Sequence, residues 1–118
     1  MWSREEGATS HMSVFLHGLG TALPPHELPQ DVVKHLAEDI LGSRYPQSER
    51  LQSTFASSGI ERRYSVVPQG WFFKDHGWGD RNNAYLEGAT ALFIQAARRA
   101  LATSGWAANE VDCIVTVL

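Results

Sequence analysis

The sequence predicts an α/β fold built in layers, and three features predict it. A long amphipathic helix from about Asn83 to Ser104 feeds Asp112 to Leu118, a continuous β-branched and apolar run. Such a run suits a strand buried on both faces, as in a parallel sheet under helices. Upstream, the pattern reads strand, helix, helix, strand, an order that layers helices on a sheet. Hydrophobic residues make up 43% of the 118-residue chain, enough to place it among core-forming rather than disordered sequences.

Each element has its own local reason. Met1 to Met12 holds Arg4, Glu5 and Glu6 and lacks an apolar block, so residues 1–12 read as a flexible tail rather than a secretory signal. Val14 to His17 is a short β-type run closed by Gly18 and Gly20. Pro24-Pro25 forces an extended loop. A helix follows from about Pro29 to Leu41, with Gln30 and Asp31 at the positive end of its dipole. Val32, Val33, Leu36, Ala37, Ile40 and Leu41 form its apolar stripe, and Gly42 stops it. A second helix is expected from about Gln47 to Ser57, with Leu51, Thr54 and Phe55 inward. Arg62 to Val67 reads as a strand closed by Pro68. Gln69 to Asn83 is irregular and rich in Gly and aromatics, with Trp71, Phe72, Phe73 and Trp78 expected to pin a loop to the core. Tyr85, Ala89, Leu92, Phe93, Ala96 and Ala100 form the inner face of the long helix, which Gly105 ends. Asn109 is placed to cap a single turn.

The final strand is the unusual one. A buried parallel strand needs neighbours on both edges, and only Val14–His17 and Arg62–Val67 are on offer. The expectation is a chain truncated at Leu118, with residues 13–118 the front portion of a larger domain; the alternative is that Asp112–Leu118 is a terminal strand tucked under the long helix.

Charge and cysteine content exclude several classes. Ten Lys and Arg against thirteen Asp and Glu give a net charge of −3, which argues against a nucleic-acid partner. No apolar stretch approaches the roughly 18–20 residues that span a bilayer, so no membrane partner is expected. The lone Cys113 excludes an internal disulfide framework and fits a cytoplasmic protein. His11, His17, His26, His35 and His76 lack metal-ligand spacing, so no metal site is expected.

Each motif in the chain also admits a plainer structural role. Gly18-Leu19-Gly20 follows a strand, but Leu23 stands where a dinucleotide loop needs its third glycine; a turn is the better reading. Cys113 lies in the apolar run beside Asp112 with no cation to favour a thiolate, so inert packing is expected. Arg62 and Arg63 point to opposite faces of their strand, so one can reach a partner while the other is solvated or paired, for instance with Glu61; a structural arginine bonding loop carbonyls is the better reading than ligand contact. Arg98-Arg99 reads as a solvated helix face, and Arg81-Asn82-Asn83 as the approach to a helix cap.

Several of these pieces together resemble one family. Gly18-Leu19-Gly20-Thr21-Ala22-Leu23-Pro24-Pro25 is followed by Phe55-Ala56-Ser57-Ser58-Gly59-Ile60-Glu61-Arg62-Arg63-Tyr64, then Arg81…Tyr85…Ala89…Leu92, then Val111 to Val117. In order and spacing, residues 14–118 resemble the N-terminal part of a bacterial type III polyketide synthase of the chalcone and stilbene synthase family. Ser58-Gly59-Ile60-Glu61-Arg62-Arg63-Tyr64 is the most specific stretch. The resemblance implies a thiolase-like layered fold, a homodimer, and condensation of malonyl-CoA with an acyl-CoA starter, with CoA thioesters as substrates and no cofactor. A cysteine nucleophile and a His/Asn pair that stabilises the developing anions would do the chemistry. The resemblance places all three beyond Leu118, so this chain is expected to hold no catalytic residue, and Cys113 is not the nucleophile. Arg50 matches a basic position that contacts CoA in the plant enzymes, whereas Ser53 and Ser57 replace two further basic positions. Two other readings remain: a fragment of a 3-oxoacyl-acyl carrier protein synthase III, which shares the fold, and a non-catalytic α/β interaction module.

Overall fold

The structure, a computed structural model, describes residues 12–42, 44–45 and 48–117; the side chains of residues 48, 49 and 51 are outside the description. The predicted tail, except its last residue, lies outside the described residues, as do Gln47, Leu118 and the inward placement of the Leu51 side chain.

Five regular elements follow one another: β1 (His26–Pro29), α1 (Gln30–Leu41), α2 (Ser48–Ser57), β2 (Arg62–Ser65) and α3 (Trp78–Ser104). Short 3₁₀ turns occupy Gln69–Phe73 and Ala108–Glu110. Helix α1 forms where its apolar stripe and early Asp31 predict it. Pro29 precedes the first turn, where its missing N–H costs nothing. Leu36 is buried, and Val32, Val33, Ala37 and Ile40 are half-buried. Helix α2 runs into Ser58 and then Gly59, whose φ of 68° turns the chain toward β2. Glycine adopts that left-handed conformation without the penalty of a Cβ.

The sequence pattern does not predict β1. Its sequence, His-Glu-Leu-Pro, contains no β-branched residue and offers little periodicity. It is held as a strand by antiparallel pairing to β2, with Leu28 opposite Arg63 and Pro29 opposite Arg62. The pairing turns Leu28 inward, where α1 packs on both strands. Leu28 and Leu36, each 8% exposed, are the buried apolar side chains among the described residues.

Helix α3 begins five residues before its predicted start, because the Trp78–Asn82 stretch is helical rather than loop. Gly77 is its N-cap, and Arg81, Asn82 and Asn83 lie inside the helix instead of approaching a cap. Gly105 closes it at φ 71°, its N–H donating to the Leu101 carbonyl. The segment around Gly18 and Gly20 lies against α3: a Cβ on either glycine would collide with the backbone carbonyl of Ala100 or Ala96. Arg99 also reaches back, its Nη1 donating to the Thr21 carbonyl at 2.6 Å, so this arginine is tethered rather than merely solvated.

Two predicted strands are corrected. Val14–His17 and the Asp112–Val117 run are unpaired and exposed, with Val115 86% and Val117 92% accessible. Apolar, β-branched composition makes a segment extended, but a strand exists only when a neighbour takes its backbone hydrogen bonds. Among the described residues no strand pairs with either segment, and the observed sheet has the two strands β1 and β2. The radius of gyration is 22.6 Å, against roughly 13 Å for a compact domain of this size. The core is correspondingly thin.

Candidate functional site

The residue singled out for CoA contact, Arg50, lies in the first turn of α2 and is exposed. Arg50, Ser53 and Ser57 are spaced three and four residues apart, which puts them on one helix face. The two serines turn back into their own helix. Ser53 Oγ donates to the Arg50 carbonyl at 3.1 Å and Ser57 Oγ to the Thr54 carbonyl at 3.4 Å. The guanidinium is thus the group on this face suited to an anion, and its planar fork of donors matches phosphate oxygens. The face can bind; none of these three groups is a nucleophile paired with a base.

On the other side of α2, Gln30 knits three elements together. Its backbone N–H donates to the Glu61 carbonyl at 2.9 Å. Its Nε2 donates to the Phe55 carbonyl at 3.2 Å and lies 3.4 Å from Ser58 Oγ. Its Oε1 accepts from Arg63 Nε at 3.1 Å. Arg62 and Arg63 do face opposite ways. Arg62 pairs with Glu27 across the sheet at 3.6 Å rather than with Glu61, and both partners are at least half exposed. Such a pair contributes little to stability.

Cys113 is exposed and lies in an unpaired segment outside any helix or strand, which corrects the expectation that it packs inside a strand. The histidines are dispersed: His17 stacks on Trp106 with ring centroids 4.0 Å apart, and His35 Nδ1 donates to the Asp31 carbonyl at 2.7 Å. Among the described residues no group of three His, Cys, Asp or Glu could hold a metal ion. The aromatic loop is pinned only in part. Trp71 and Phe72 are half-buried and meet edge to face, whereas Phe73 and Trp78 are exposed.

Sequence reasoning missed the groups that organise this loop and the junction beside α2. His76 stacks flat on Trp71 at 3.8 Å, donates from Nε2 to the Trp71 carbonyl at 3.0 Å, and sets Nδ1 3.6 Å from the Asp80 carboxylate. No local pattern announces such a role. Gly88 carried a readable signal: a glycine inside a helix costs about 1 kcal/mol relative to alanine, so its presence hints at close packing. In the structure Val66 fills the space where a Cβ would stand. Ala107 N–H is closed by Glu110 Oε2 at 2.8 Å, so Glu110 rather than Asn109 caps the last single turn.

Comparison with known proteins adds one distant relationship. The chain is 27% identical over 73 residues to a Bacillus subtilis (strain 168) protein named "Putative chalcone synthase"; the match covers 62% of this chain and 20% of that protein. No protein-family model matches the chain. No solved structure matches it either. Among the described residues no helix is long and apolar enough to cross a membrane. The chain is thus distantly similar, over part of its length, to a protein named as a chalcone synthase.

Proposed function

We propose that this chain is the N-terminal portion of an acyltransferase of the type III polyketide synthase kind, which condenses malonyl-CoA with an acyl-CoA starter. The observation that carries the reading is the 73-residue similarity to the Bacillus protein. The Ser58-to-Tyr64 stretch and the segment around Gly18 and Gly20 before Pro24-Pro25 support the same reading from the sequence. In this reading the chain belongs to a thiolase-like layered fold and a homodimer, and Arg50 meets a phosphate of CoA. The nucleophilic cysteine and its His/Asn partners lie in a part of the enzyme beyond these residues. Cys113 takes no part in the chemistry, and no metal or cofactor is needed.

Arg50 supplies the direct test. A charge-assisted hydrogen bond to phosphate is worth about 1.5–3 kcal/mol, or roughly a ten-fold or greater change in affinity. Titration of CoA into the chain is expected to show saturable binding that Arg50→Gln weakens by about that factor. Binding unchanged in Arg50→Gln would remove Arg50 from the CoA contact.

A further inference from the structure

A groove of about 260 Å³ opens between α1 and α2, on the side of α2 that faces Gln30. Ala37, Leu41 and Phe55 give it an apolar lining, and Lys34 and Arg63 bring two cations to it. Neither cation forms an ion pair among the described residues. Arg63 is held by its Nε–H on Gln30 Oε1, and Gln30 is itself fixed to Phe55 and Glu61. The terminal nitrogens of a guanidinium anchored through Nε stay available to an acceptor. Lys34 lies four residues beyond Gln30 on α1, hence on the same helix face. Glu38 also lines the groove, one turn further along α1.

We infer that this groove is a binding site for a small amphiphilic monoanion, a short-chain carboxylate, distinct from the Arg50 face. Two cations and one carboxylate leave a net charge of one positive, which matches a monoanion better than a phosphate dianion. The apolar lining takes the hydrocarbon chain, and the guanidinium accommodates the carboxylate in the geometry it suits best. The volume lies just below the roughly 300–1,000 Å³ usual for ligand sites, so the ligand is short.

Hexanoate, hexylammonium and inorganic phosphate titrated separately into the 118-residue chain test the site, followed by amide NMR shifts of Ala37, Leu41 and Phe55. Hexanoate is expected to bind saturably and move these signals, with hexylammonium and phosphate each at least about ten-fold weaker. Arg63→Gln and Lys34→Gln are each expected to weaken hexanoate by about ten-fold, and Arg50→Gln to leave it unchanged. Lys34→Gln stands on its own if loss of the Gln30 contact unfolds Arg63→Gln. The site is overturned by non-saturable hexanoate shifts, by equal binding of phosphate or hexylammonium, or by full hexanoate binding in Lys34→Gln. An effect confined to Arg50→Gln would also overturn it, and would leave the CoA-contact reading of Arg50 standing.

Discussion

Gln30 does more structural work than any charged residue near it. One side chain satisfies the end of α2, the hydroxyl that starts the turn, and the Arg63 guanidinium. Removing it takes from the half-buried Phe55 carbonyl one of its two side-chain donors, Ser58 Oγ at 3.0 Å being the other, and from Arg63 its acceptor; at about 0.5–1.5 kcal/mol per hydrogen bond, Gln30→Ala is expected to lower unfolding stability by about 1–3 kcal/mol. Arg62→Gln breaks only the exposed pair with Glu27 and is expected to cost at most about 1 kcal/mol. Urea denaturation of the two variants checks the contrast; equal losses would deny Gln30 its role. Gly20 presents a different constraint, contact rather than hydrogen bonding. A methyl at this position collides with the carbonyl of Ala96, so Gly20→Ala is expected to lift residues 18–24 off α3. The Thr21–Arg99 contact is then lost, seen as faster amide exchange in this segment. Unaltered exchange would contradict the close approach.

At the scale of elements, what was legible followed from local periodicity. Helices α1 and α2 and most of α3 are found where apolar residues repeat at helical spacing, and β2 falls within the predicted run. β1 was hidden because Glu27 and Pro29 say little about strands, and only its partner makes it one. The start of α3 was hidden by Gly79 and the Asn82-Asn83 pair, residues that favour turns in isolation. The two apolar runs misled in the opposite sense, since composition reports a wish for cover and says nothing of whether a neighbour is present. At the candidate site, the position of Arg50 on a helix was readable, whereas the Gln30–Arg63 junction joins residues 33 positions apart and left no local trace. Gly88 offers a sharp test of packing between elements. Gly88→Ala gains helix propensity of about 1 kcal/mol but collides with Val66, and overpacking costs typically 1–3 kcal/mol. The single variant is expected to be neutral to destabilised, and combining it with Val66→Ala is expected to recover the propensity gain. Strict additivity in that double-mutant cycle would show that the two residues do not meet. The amides of residues 111–117, lacking a ladder, are expected to exchange at nearly unprotected rates; slow exchange there would reveal a pairing the structure lacks.

For the whole molecule, a thin core and wide apolar exposure belong together. Two buried leucines anchor β1, β2 and the first helices, while α3 carries Tyr85, Leu86, Phe93 and Ile94 at 40% exposure or more. The described residues assemble a phosphate-suited arginine and a cationic groove, and they bring no nucleophile together with a base. Under the proposal, which puts the cysteine and its His/Asn partners beyond these residues, the 118-residue chain is expected not to release CO₂ from malonyl-CoA; turnover above the uncatalysed rate would place the chemistry within these residues. Whether this chain is the front of a CoA-thioester condensing enzyme, as proposed, is decided by the coding DNA downstream of the Leu118 codon. Read in all three frames, it is predicted to continue through a Ser/Thr-Gly turn to a Cys, a His and an Asn in that order. A stop codon with no such residues in any frame would contradict the claim.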